Sequence, residues 1–173
     1  MSELASEPMT LGLVASAGGG MDVRLRREVA EPAARRGWRL AITVTPAAAR
    51  WLDSAGELDR LRGLTELPVR SEPRLPTEPK PYPMPDGFLF VPATANSLAK
   101  LALGIADNQA LTALGEAVGA GVPVVVRPQA DDNQRRHPAW AAHLATLRGA
   151  GVLVDDGPAD APWEPLLDLL GWS

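Results

Sequence analysis

GFLFVPATANSLAKLALGIADN, residues 87–108, decides the fold. Its first five residues, Gly87–Val91, form an unbroken apolar run, as expected of a strand buried on both faces. A turn of small, hydroxyl and amide residues follows at Pro92-Ala93-Thr94-Ala95-Asn96-Ser97. The chain then takes up a helical pattern with Leu98, Leu101 and Ile105 on one face. Asp107 or Asn108 caps a further helix that ends near Gly119-Ala120-Gly121. A buried strand passing through a short turn into a helix is the unit of a parallel α/β sheet.

The same alternation extends in both directions. Leu11–Ala15 (LGLVA) reads as the first strand and is followed by Ser16-Ala17-Gly18-Gly19-Gly20. Met21–Arg36 is helical in pattern; Pro32 is expected to end or kink that helix, and Gly37 to stop it. Trp38–Val44 is the second strand, Thr45 an N-cap, and Pro46 the first residue of a helix through Trp51 and Leu52. Beyond residue 121, Val122–Arg127 reads as a strand, Pro128–His137 as a polar loop and Pro138–Arg148 as a helix. Gly151–Val154 is the last strand and Pro162–Leu170 a closing helix. Residues 67–86 interrupt the pattern with seven prolines from Pro68 to Pro85, which predicts an extended surface loop. Loops of this length are often functional, and a solvated connection is an equally good reading.

The chain has 173 residues, 46% apolar and 22% charged, with net charge −4, no cysteine and two histidines. That length suits one domain spanning residues 1–173, and no repeat is evident. The lack of cysteine excludes disulfides, zinc–thiolate and iron–sulfur ligation, and a thiol nucleophile. A mildly acidic balance argues against nucleic acid as a partner. No apolar run approaches the roughly 18 residues of a membrane span. Met1–Thr10 is acidic, without a hydrophobic signal core, and is expected to be a flexible N-terminus on a cytoplasmic protein. Fifteen arginines against Lys80 and Lys100 read as genomic bias.

In an open parallel sheet, ligands bind at the carboxyl ends of strands, where strand order reverses. Ser16–Gly20 and Thr94–Ser97 both occupy such ends and lead into helix N-termini, where free N–H groups favour phosphate. Neither loop is a GxGxxG or Walker A sequence. On physics alone, Ser16–Gly20 reads more readily as a plain tight turn.

Residues 91–108 resemble the flavin-binding cysteine decarboxylase family, which includes phosphopantothenoylcysteine decarboxylase and the lantibiotic decarboxylases. Pro92–Ser97 is similar to that family's Pro-Ala-Ser-Ala-Asn-Thr motif, with Ser/Thr exchange at two positions. Gly104–Asn108 matches its Gly-Ile-Ala-Asp-Asn segment, and the resemblance extends more loosely from Leu11 to about Asp155. It implies a three-layer, Rossmann-like doubly wound parallel sheet that binds FMN, and a homo-oligomer built as a trimer or a dodecamer of trimers. Ala15, Ser16 and Ala17 correspond to the family's phosphate loop, with alanine where glycine is usual. Thr45, Pro46 and Ala47 correspond to a segment lining the flavin, and Thr94, Ala95, Asn96 and Ser97 to the turn that binds it. Gln129 joins this cofactor-binding set through a second motif at Pro128–Asp131. Helix capping is the alternative role for Thr94 and Asn96, and both roles are compatible.

The resemblance breaks at the catalytic residues. The decarboxylases place a histidine shortly before the strand leading into the motif; here that region holds Glu78, Pro79 and Lys80. Their second motif supplies an asparagine for the substrate carboxylate; here Asp131 takes its place, and Asn133 substitutes only with a loop shift of two residues. Asp131 and Asn133 are therefore the candidate substrate-loop residues. The family's flap cysteine has no counterpart. These departures point to a flavin-dependent enzyme acting on a small molecule or peptide, other than a standard cysteine decarboxylase. The alternative is a non-catalytic flavin-binding or regulatory subunit. His137 and His143 are six apart and read as surface or capping residues, so no metal site is expected. Trp51, Trp140, Trp163 and Trp172 read as core or interface residues, with Trp51 a candidate to stack on the flavin ring.

Overall fold

Five parallel strands form one sheet in the order β2-β1-β3-β4-β5 in the computed structural model, which describes residues 6–172. The expected flexible N-terminus falls partly on residues 1–5, which lie outside the described residues. The strands are β1 (Thr10–Ala15), β2 (Arg39–Val44), β3 (Gly87–Thr94), β4 (Val124–Gln129) and β5 (Leu153–Val154). Strand order reverses between β1 and β3, because the chain pairs β2 on one side of β1 and then crosses over to pair β3 on the other.

Alternation along each strand divides the core into two layers. Leu11 and Leu13 of β1 and Leu89 and Val91 of β3 face one layer. That layer holds α1 (Met21–Arg24), α2 (Glu31–Arg35), α3 (Pro46–Ser54), α4 (Glu57–Arg62) and a closing 3₁₀ helix, Glu164–Leu170. Val14, Phe88, Phe90 and Val126 face the other, against α5 (Ala95–Leu103), α6 (Gln109–Ala120) and α8 (Trp140–Gly149). This is the expected three-layer, doubly wound α/β architecture.

Several expectations are corrected. Pro32 does not end its helix. A π-helical stretch, Leu25–Ala30, joins α1 to α2, and the Glu31 N–H reaches back five residues to the Arg26 carbonyl. Widening the helix just before Pro32 accommodates the ring and its missing donor without a break. Ile105 does not share the buried face of Leu98 and Leu101, because Gly104 closes α5 in the left-handed region (φ 73°) and Ile105 is exposed. β3 and β4 run on through Pro92 and Pro128, to Thr94 and Gln129. The closing helix is 3₁₀ rather than α, and α4 was not anticipated. Within 67–86 the chain is irregular apart from Arg70, which pairs with the free edge of β2 through Val44 N–H to Arg70 O and Arg70 N–H to Ile42 O, both 2.9 Å.

α4 is fastened to the π-helical stretch by charge. Arg26 donates to Glu57 Oε2 at 2.6 Å and also to Glu31, while Arg60 donates to Glu57 at 2.9 Å. Glu57 is buried (6% exposed), and the Arg26 guanidinium beside it holds its carboxyl below the usual carboxylate range. The stability this pair contributes is fully present above the ordinary glutamate pKa and is lost as pH falls through the lowered value. Arg26→Gln is expected to cost about 3 kcal/mol in urea unfolding at pH 7 and to make the loss of stability toward pH 4 shallower. An unchanged unfolding midpoint would remove the pair from any structural role.

Candidate functional site

The carboxyl ends of β2, β1, β3 and β4 stand side by side in the parallel sheet, and the reversal of strand order between β1 and β3 is where a crevice opens in folds of this kind. At its floor, Ser16 N–H donates to the Pro92 carbonyl at 3.1 Å and the Ser16 hydroxyl donates to the same oxygen at 2.8 Å. The hydroxyl oxygen in turn accepts the Thr94 N–H at 2.9 Å. Thr45 N–H donates to the Ala15 carbonyl at 3.0 Å, and Gln129 Nε2 donates to the Gly19 carbonyl at 2.8 Å. These bonds bring Ala15, Ser16, Thr45, Thr94 and Gln129 together from four strand ends.

The turns above this floor are capped helix starts. Thr45 Oγ1 accepts Ala48 N–H at 3.2 Å, with Pro46 and Ala47 in the first turn of α3. Thr94 Oγ1 accepts Ser97 N–H at 3.4 Å and lies 3.3 Å from the Ser97 hydroxyl. Asn96 is exposed in the first turn of α5, beside half-buried Ala95, and its amide has no partner among the described residues. Capping is therefore the observed role of Thr94, while Asn96 remains a free amide at the rim.

The glycine loop supplies donors. Gly18 N–H bonds to the Ser16 carbonyl and Met21 N–H to the Gly18 carbonyl. The N–H groups of Ala17, Gly19 and Gly20 have no partner among the described residues. They stand at the start of a continuous helical run, 21–35, whose positive end favours an anion. Gly18 must be glycine for want of room, since a Cβ there would lie 2.3 Å from Gln129 Oε1 and 2.9 Å from Pro92 Cγ. Gln129 Oε1 is itself buried without a partner. Open backbone donors, short hydroxyls, a free amide and alanine-walled turns form a donor set that fits a phosphate joined to a flat ring. The Ser16 hydroxyl is already engaged between two backbones and shapes the floor.

Asp131 and Asn133 part company. Asp131 is the N-cap of α7 (Asp132–Arg135), in a capping box where its carboxylate accepts Gln134 N–H at 2.8 Å and Gln134 Oε1 accepts Asp131 N–H at 3.0 Å. The expected polar loop thus contains a helical turn. Asn133 lines an open groove together with Ala95, Ala99, His137, Trp140 and His143. His137 Nδ1 accepts Ala139 N–H at 3.1 Å, a capping role that leaves Nε2 to carry the proton. No cluster of three potential metal ligands occurs among the described residues. Trp163 and Trp38 are buried, and Trp172 packs edge-on against Trp38 at 4.9 Å. Trp51 is 49% exposed, so core packing does not account for it.

Sequence reasoning missed the Pro92 carbonyl, the Gly18–Gln129 contact and the capping box at Asp131. The glycine run signalled the close approach, and the Asp131–Gln134 spacing signalled the cap.

The flavoprotein family model matches residues 10–168, and the chain belongs to that family. A cysteine/cysteine sulfinic acid decarboxylase from an unknown prokaryotic organism is 41% identical over 66 residues, 38% of this chain. The match spans 18% of that relative's length. Among solved structures, the FMN-dependent cysteine decarboxylase TvaF from thioviridamide biosynthesis superimposes with a TM-score of 0.69 at 24% identity, over 95% of this chain and 99% of that one. HAL3 from Cryptococcus neoformans gives 0.68 at 24% identity, over 95% and 93%. These superpositions establish the fold. No helix among the described residues is long and apolar enough to cross a membrane.

Gly18→Ala is expected to destabilise the protein by about 1–3 kcal/mol in urea unfolding, since the new methyl overlaps Pro92 and Gln129. Adding Gln129→Ala should recover part of that loss; no cost from Gly18→Ala alone would disprove the close packing.

Proposed function

We propose that this member of the flavoprotein family binds FMN over the carboxyl ends of β1, β2 and β3. The observation that carries this reading is the set of N–H groups at Ala17, Gly19 and Gly20 without a partner among the described residues, in a loop whose root at Ser16 is bonded to Pro92 and Thr94 at the foot of the Thr94–Ser97 segment. In this reading the Ala17–Gly20 backbone and the Ser97 hydroxyl hold the phosphate. Thr45, Pro46 and Ala47 line one side of the ring, Thr94, Ala95 and Asn96 the other, and Gln129 closes the phosphate end. Ala15 and Ser16 fix the geometry from beneath. When bound, FMN supplies an electron sink, and the chain supplies position and neutral hydrogen-bond donors.

The reading extends to a flavin-dependent enzyme acting on a small molecule or peptide, by chemistry other than standard cysteine decarboxylation. No histidine falls within 67–86 and the chain has no cysteine. Asn133 is the better substrate-loop residue of the two candidates, because the Asp131 carboxylate is engaged as a cap. A homo-oligomer that covers the exposed Trp51 and Val23 side chains is part of this reading. The second reading, a non-catalytic flavin-binding or regulatory subunit, is favoured by Glu78, which stands in the missing histidine's segment and closes its own loop by accepting Leu75 N–H at 2.7 Å.

Purified protein mixed with FMN is expected to acquire stoichiometric flavin absorbance, and Asn96→Trp to abolish it; a colourless wild-type protein overturns the cofactor. Peptides ending in cysteine are expected to survive incubation with the FMN-loaded protein unchanged in mass. Loss of CO2 would restore the standard activity.

A further inference from the structure

Doubly wound sheets cover both faces with helices, and here one crossover departs from that rule. α3 and α4 pack with α1 on one side of the sheet, and the chain then passes the free edge of β2 at Arg70. The proline-rich segment 71–86 makes the rest of the passage to β3, on the α6 side. It bridges where a helix would pack, and a cavity of about 230 Å³ is left beneath it. Ala41 and Thr43 of β2 and Phe88 of β3 form its floor, α6 supplies one wall through Thr112 and Glu116, and the proline-rich segment supplies the roof.

The charge in this cavity is unbalanced. Arg70, Arg74 and Lys80 line it against one carboxylate, Glu116, and no ion pair joins Glu116 to any of the three among the described residues. Arg70 is half-buried, and its guanidinium has no hydrogen-bond or ion-pair partner among the described residues. Its N–H and its carbonyl are both bonded to β2, so the side chain projects from a fixed point. Arg74 is tied to the roof by donating to the Glu78 carbonyl at 2.5 Å. Half-buried Tyr82 and buried Phe88 add aromatic surface. A partly desolvated cation without a partner is costly, and an anion with an apolar body relieves that cost while filling the aromatic wall.

We propose that the cavity beneath the proline-rich crossover binds a compact organic anion, a carboxylate or phosphate carried on a small apolar body, with Arg70 as its principal cation. The site is separate from the crevice at the strand ends: none of residues 15–20 or 94–97 lines it. Its volume is below the range typical of drug-sized ligands, which selects for a compact occupant.

The test is an NMR titration of the full, isotopically labelled chain with phenylphosphate and with benzoate, using inorganic phosphate as the probe without an apolar body. Saturable amide shifts are expected in residues 41–43, 70–84 and 109–116, and the tighter of the two aromatic probes identifies the anionic group. Arg70→Met should weaken that binding at least about tenfold, the loss of a charge-assisted hydrogen bond. The exposed variant Lys80→Met, which leaves the sheet edge untouched, should weaken it several-fold. FMN added in saturating amount should leave the affinity unchanged. The proposal is overturned by the absence of saturable shifts, by equal affinity in both variants, or by inorganic phosphate binding as tightly as phenylphosphate. Shifts confined to residues 16–20, or competition by FMN, would also overturn it and assign the anion to the strand-end crevice.

Discussion

The Ser16 side chain is the link on which the crevice depends. At the point where strand order reverses, β1 and β3 send their following helices to opposite faces of the sheet. The Pro92 carbonyl, buried at that point, takes both donors of Ser16, and the Ser16 oxygen then takes the Thr94 N–H. Buried backbone groups left unpaired are expensive, so one hydroxyl that accepts and donates at once closes the floor at little cost in space. Alanine at 16 would leave Thr94 N–H without its acceptor, and a longer polar side chain would fill the crevice it now floors. The loop to Gly20 and the turn to Ser97 are held at fixed separation because their roots are joined here.

That arrangement explains which parts of the structure were legible in the sequence. The existence of the five strands and their order along the chain, the Ser16–Gly20 loop and the caps at Thr45 and Asn108 follow from local chemistry and are present in the structure. β3, however, continues through Pro92 to Thr94 and leads directly into α5. Local reasoning failed where tertiary contacts overrode it. Pro32 normally ends a helix, but a π-helical widening absorbs it, and Arg26 on that stretch is held in place by Glu57, thirty-one residues away. Ile105 continues a helical spacing on paper, yet Gly104 turns the chain first. The role of Ser16 was out of reach for the same reason. Its partner, a proline carbonyl seventy-six residues on, carries no signature in the sequence.

The proline-rich segment shows how composition can shape a surface without forming an element. Its prolines exclude helix and central strand alike, so the crossover cannot bury an apolar stripe against β2 and β1 as a helix would. What the sheet presents there is correspondingly mild: Ala41, Thr43 and, beneath the Phe88 ring, Gly12, where a Cβ would lie 2.4 Å from that ring. A thin floor and a stiff roof leave a hollow between them. Arg70, one residue tied into the ladder at the edge, sets where the roof begins.

The groups at the strand-end crevice limit the chemistry this chain can perform by itself. Thr45, Thr94, Ser97, Asn96 and Gln129 are neutral, and near pH 7 they orient and donate without exchanging a proton. The chain has no cysteine, and its two histidines both stand on the groove between α5 and α8 that begins at Ala95. His137 is fixed by the Ala139 N–H in the tautomer that carries its proton on Nε2. An imidazole of this chain can serve a proton transfer at the crevice only if the reactants extend along α5 past Ala95 toward Asn133 and His137.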